Sequence, residues 1–258
     1  MTTSETSQHT HSSSKQPVIG VLLVHGFNGT KQDLADLETI LQDHGMVTHN
    51  MILPGHGTHV RDLMSLGWED WAQAVREELQ ALKERCDVVF LVGHSLGGSL
   101  SLHMAAHEEV AGIVTMCAPT RMYPLTKFFV SIAKYITPLL PTIPGNVRDK
   151  EVRRSYTRDI YKWTPMRPVG SMLEHLPKLR AELSQITAPA LIMASIYDPV
   201  VPVRDGREIY QLIGSREKHL VIFHRSYHLI MKDRDRAEVI DKTLAFILRH
   251  ASKAEPQP

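Results

Sequence analysis

The apolar run Val88-Val89-Phe90-Leu91-Val92 passes without a gap into Gly93-His94-Ser95-Leu96-Gly97-Gly98, and this junction constrains the fold more than any other stretch. A short unbroken apolar run fits a strand buried on both faces, and residues 96–106 read as a helix directly behind it. A strand that turns at once into a helix must hold its apex residue, Ser95, at positive φ. The backbone around the apex is so crowded that Gly93 and Gly97 are the residues it accommodates. Such a turn lifts the serine hydroxyl clear of the sheet and aims the Leu96 amide at whatever the serine attacks. The junction predicts an α/β protein arranged around an activated nucleophile.

The rest of the 258 residues keeps the matching rhythm. Strands predicted at 18–24, 47–53, 87–92, 112–117, 189–195 and 220–223 alternate with helices at 31–44, 68–85, 96–106, 203–213 and 233–250. That order belongs to a mostly parallel sheet flanked by helical crossovers. From 118 to 183 the alternation fails, and Pro124, Pro138, Pro141, Pro144, Pro165, Pro168 and Pro177 punctuate short helical pieces. The stretch is too long for a plain loop, so residues 120–183 read as an inserted cap on a core made of 18–119 and 184–251. Phe129, Ile132, Ile136 and Leu139 recur at helical steps and are expected to form the packing face of that cap, part of it roofing a pocket over Ser95. Residues 1–17 and 252–258 are expected to be disordered tails.

Composition narrows the partners. The apolar share of 43% supports a substantial core, and a net charge of +1 with both signs interspersed argues against nucleic acid and for a small neutral ligand. No segment approaches the ~20 apolar residues of a membrane span, so stable membrane insertion is not expected. Cys86 and Cys117 lie on or beside strands and read as small core residues, which makes the cytoplasm the default compartment. A monomer or weak homodimer is the expected state.

A serine hydroxyl needs a base, and the base needs a third group to fix its tautomer. In doubly wound sheets such groups sit beyond the carboxyl ends of strands. Strand 189–195 runs into Ile196-Tyr197-Asp198-Pro199, and strand 220–223 runs into His224-Arg225-Ser226-Tyr227-His228. The chain order Ser95, Asp198, His228 is the one the elbow predicts. Rivals exist: Asp205 in a helical first turn, Asp233 and Asp235 at the start of the last helix, and His224 nearer its strand end. Asp198 and His228 are preferred for chain order and for reach. His94 should point away from Ser95 and either pack or support the residues of the site from behind.

After the first strand comes His25-Gly26-Phe27-Asn28-Gly29-Thr30. Glycines let this loop approach the elbow, where the Phe27 amide can join that of Leu96 as an oxyanion hole. The loop lacks the ending of a phosphate-binding loop. A metal held by the pairs His9 with His11 or His56 with His59 is not expected, since each lacks a third ligand.

These segments, with Gly55-His56-Gly57-Thr58-His59, residues 112–119 and Ser226-Tyr227-His228, resemble the small bacterial carboxylesterases and monoacylglycerol lipases of the α/β-hydrolase superfamily. The likeness spans residues 18–250. It implies an α/β-hydrolase fold with a small helical cap, a Ser95-Asp198-His228 triad, the amides of Phe27 and Leu96 as the hole, and no metal or organic cofactor. In the monoacylglycerol lipase subgroup an acidic residue near the Thr164-Pro165 step helps hold glycerol; this chain has Lys162-Trp163 there, which is more similar to the carboxylesterase subgroup. The expected activity is therefore hydrolysis of short- to medium-chain neutral esters, with monoacylglycerol, thioester hydrolysis or acyl transfer as alternatives using the same groups.

Overall fold

The computed structural model describes residues 16–142, 147–155 and 161–252. Most of both predicted tails lies outside the described residues. Six parallel strands form one sheet in the order β2-β1-β3-β4-β7-β8: β1 (Ile19–Val24), β2 (Val47–Asn50), β3 (Val88–His94), β4 (Gly112–Met116), β7 (Ala190–Ser195) and β8 (Lys218–Phe223). Between them lie α1 (Ala35–Asp43), α2 (Val60–Leu63), α3 (Trp68–Lys83), α4 (Leu96–His107) and α8 (Val203–Leu212), and α9 (Arg236–Ala251) closes the chain.

Successive strand residues face opposite layers, as the twofold period of a strand requires. Leu22, Val24, Val89, Leu91 and Ile192 pack with the apolar faces of α3 and α4. Their neighbours Val21, Leu23, Phe90, Val92 and Leu191 pack with α1 and α9. Both faces are thus covered, which is why these strands are apolar throughout.

Two predicted boundaries shift for identifiable reasons. The expected helix at 31–44 opens as a separate 3-10 turn, Lys31–Asp33, because the Thr30 side chain accepts the Gln32 amide (3.3 Å) and the Lys31 carbonyl accepts from Asn50 (3.0 Å). The strand expected to run to residue 53 stops at Asn50, and the Leu53 amide donates instead to His25 Nε2 (3.0 Å).

Between β4 and β7 stand α5 (Pro124–Ile136), the antiparallel pair β5 (Leu139–Pro141) and β6 (Trp163–Pro165), α6 (Lys150–Ser155) and α7 (Met166–Glu182). The proline-rich stretch is therefore not only short pieces. Helix α7 has 17 residues and runs through Pro177. Pro168 sits in its first turn, where no intrahelical partner is lost. Beyond it, the buried stripe Met172, Leu173, Leu176 and Leu179 holds the helix despite the hydrogen bond that Pro177 cannot make. The expected packing face of α5 also needs correction. Phe129, Ile132 and Ile136 are 60%, 42% and 77% exposed, whereas Val130 is buried. Helix α5 packs on α7, and Val130 and Ala133 join the core cluster while the larger stripe faces water.

Candidate active site

The strand order reverses between β1 and β3, since the chain leaves β1 for β2 on one side and continues from β3 to β4 on the other. A crevice opens at the carboxyl ends of strands at such a switch point. The two glycine-flanked segments singled out in the sequence, residues 25–30 after β1 and 93–98 after β3, both lie there.

Ser95 has φ 52° and ψ −119°, the strained geometry its neighbours imply. The crowding is explicit: a Cβ on Gly97 would strike the carbonyls of Val24 and His25, and one on Gly93 would strike the Gly97 backbone. The Ser95 amide donates to the Met116 carbonyl (2.8 Å), which ties the apex to β4 and leaves the side chain half-buried at the start of α4. The unpaired amides and positive end of that helix suit a developing negative charge. Gly26 brings the β1 loop against this apex, for a Cβ there would come within 3.1 Å of Ser95 Cβ. Phe27 follows, half-buried, its ring edge-on to those of His56 (5.8 Å) and Trp71 (5.9 Å).

Asp198 and His228 meet. The His228 Nδ1–H donates to Asp198 Oδ2 at 2.6 Å, and both side chains are almost wholly buried. Burial by itself would raise the Asp198 carboxyl; the charge and hydrogen bond of His228, with the amides of Val201 and Val200, outweigh it and leave that carboxyl below its ordinary range. Those amides reach Oδ1 at 2.8 and 2.7 Å. The carboxylate is thereby fixed in orientation and charge.

Of the two roles expected for His94, the supporting one is seen. Its Nε2 donates to the His228 carbonyl (3.1 Å) and its ring lies 4.7 Å from that of His228, so the residue before Ser95 fastens the histidine loop beside the elbow. Other anchors of that loop are hard to read from sequence. Ser195 Oγ donates to the Ser226 carbonyl (2.6 Å), the Asp235 amide donates to Ser226 Oγ (2.8 Å) and the Tyr227 amide donates to Asp233 (2.8 Å). The rival acids have these structural tasks: Asp233 and Asp235 brace the loop, and buried Asp205 accepts the amides of Thr120, Arg121 and Met122. His224 is exposed. Cys117, at φ 51°, lies behind the pair, where burial first and the Asp198 charge second push its thiol well up, so it stays protonated. His56 and His59, set aside as metal ligands in the sequence, are divided: His59 accepts the Arg61 amide (3.1 Å) as a helix cap, while His56 is buried against His25.

The chain matches the family described as serine aminopeptidase, S33, over residues 15–235. It is 32% identical over 234 residues to a thermostable monoacylglycerol lipase of Bacillus sp. (strain H-257), covering 90% of this chain and 92% of that one. To a carboxylesterase of Bacillus subtilis (strain 168) it is 26% identical over 231 residues, covering 88% and 91%. A solved structure from work on LipS and LipT, two metagenome-derived lipolytic enzymes, superposes with a TM-score of 0.84 at 31% identity, covering 90% of this chain and 94% of that one. With its parallel sheet and the strained strand-to-helix turn at Ser95, this chain belongs to the S33 family of α/β-hydrolases and is an enzyme of the serine esterase and lipase group.

Proposed function

We propose that this enzyme hydrolyses short- to medium-chain neutral carboxylic esters through an acyl-enzyme on Ser95. His228 is the general base and acid, Asp198 orients it, and the amides of Phe27 and Leu96 form the oxyanion hole. The reading rests on one observation above others: the buried 2.6 Å hydrogen bond from His228 to Asp198, on a loop fastened to the elbow by His94. Because Nδ1 donates to Asp198, Nε2 is left as the basic nitrogen.

In the first half-reaction Nε2 takes the Ser95 proton while Oγ attacks the ester carbonyl. The two amides stabilise the oxyanion, and the imidazolium then protonates the departing alcohol. Water, deprotonated by the same nitrogen, attacks the acyl carbonyl and restores the serine. We assign residues 120–183 as a cap over this site. Its buried side chains Val130, Met166 and Met172 join the apolar cluster that contains Leu96 and borders Phe27. An acyl chain in such surroundings gains about 0.8 kcal/mol per buried CH₂ with little discrimination of length. The same reading places the enzyme in the cytoplasm, where the free thiols Cys86 and Cys117 stay reduced.

A second reading, monoacylglycerol hydrolysis, is favoured by the 32% identity to the Bacillus sp. lipase. A ladder of p-nitrophenyl esters, with monoacylglycerols and acyl thioesters alongside, separates the readings by relative kcat/KM. Short- and medium-chain esters are expected to lead, with a burst of alcohol release and stoichiometric labelling of Ser95 by a serine-directed phosphonate. Preference for monoacylglycerols would select the second reading. Near wild-type turnover by Ser95→Ala would end both.

A further inference from the structure

We propose that His103, His107 and Glu182 form a binding site for one divalent transition-metal ion of the zinc class, on the seam between α4 and α7. His103 and His107 are one helical turn apart on α4 and so share a face. Glu182 is the last residue of α7 and reaches both: its Oε2 lies 2.7 Å from His103 Nδ1 and its Oε1 3.5 Å from His107 Nε2. The two rings stand 4.7 Å apart, and the three ligand atoms lie within 4.8 Å of one another. Zinc bonds of about 2.0–2.2 Å in a tetrahedron put ligand atoms about 3.3–3.6 Å apart, so the site closes on an ion through small side-chain rotations.

The donor set is chemically selective. Two imidazoles and one carboxylate suit zinc, nickel or copper, whereas magnesium and calcium prefer oxygen ligands. The cluster is also partly preorganised, since the ring of His103 stands edge-to-face with that of Trp68, centroids 5.7 Å apart, and is therefore confined. Helix α4 starts directly after Ser95, and the rise per residue places His103 about 12 Å along it. At that distance the ion touches no reacting atom. Its effect is mechanical: it ties the last helix of the insertion to the helix that carries the elbow.

The test uses the full chain, stripped of metal by dialysis against a chelator and then titrated with zinc sulfate by calorimetry, with cobalt(II) as an absorbing probe. We expect saturable binding of one ion at this site and a melting temperature raised by about 3 °C or more at saturating zinc. His107→Gln and Glu182→Gln should each keep the ester-hydrolysis rate and the metal-free melting temperature while weakening the affinity by about tenfold or more, since each removes a ligand. Substituting His9 and His11 by glutamine controls for binding elsewhere and should leave this site unchanged. Absence of saturable binding, or binding undiminished in either the His107 or the Glu182 variant, would overturn the proposal.

Discussion

The central sheet and the insertion after β4 place their apolar residues in opposite ways. In the sheet, every residue of β4 and β7 is buried, because helices cover both faces. In the insertion, α5 buries Val130 yet leaves Leu125, Phe128, Phe129, Tyr135 and Ile136 well exposed. Charge divides along the same line: residues 120–183 hold twelve Lys and Arg against five Asp and Glu, so the near-neutral whole conceals a basic insertion on an acidic core. The difference teaches that the apolar residues of the two regions answer to separate constraints. The turn at Ser95 leaves no room for a side chain at Gly93 or Gly97, while α5 keeps an apolar face open to water.

On the proposed function, the sharpest way to break this comparison is at Ser95. Ser95→Ala should lower kcat by about 10⁶-fold on every ester tested, with circular dichroism unchanged. A loss confined to some esters would mean that the insertion, not the elbow, supplies the chemistry. Next comes Gly97→Ala, whose Cβ strikes the carbonyls of Val24 and His25. It should cost about 3 kcal/mol or more in urea unfolding and abolish activity; an alanine accepted without cost would show that the elbow yields.

The core also contains a pH liability. Burial first, and the neighbouring His25 second, lower His56 from its ordinary 6.5 to about 3. The unfolded chain therefore takes up a proton at His56 between those values while the folded chain does not, so stability falls as pH drops below 6.5 and this loss levels off near 3. Unfolding at pH 5 should be easier than at pH 7 by about 1–2 kcal/mol from this group, and His56→Gln should flatten that slope. The smallest effects sharpen the comparison within one helix. Val130→Ser should cost about 1–2 kcal/mol, whereas Phe129→Ser should stay within about 0.5 kcal/mol, as thermal unfolding of the pair would record. Equal costs would mean that the exposed face of α5 is covered after all.

What was legible in the sequence follows a physical division. Strands β1, β3, β4 and β7 announce themselves as apolar runs because burial on both faces admits little else. The order of Ser95, Asp198 and His228 is likewise readable, since each follows a strand end. Helix α7 was not, because Pro177 signals an ending and only packing by Leu173, Leu176 and Leu179 overrides it. The stripe Phe129, Ile132 and Ile136 shows that periodicity reveals which face is apolar but not which face is covered.

By itself the sequence determined the turn at Ser95, because the crowding that selects Gly93 arises within residues 93–98, although the clash that selects Gly97 is with the end of β1. It determined the layered sheet for the same reason: alternation and run length are local properties. Only the tertiary structure decided that His94 fastens the histidine loop, that Asp233 braces it and that Glu182 meets two histidines of α4. Those contacts join segments far apart in the chain, and their partners depend on strand order and helix packing, which no single stretch of sequence encodes.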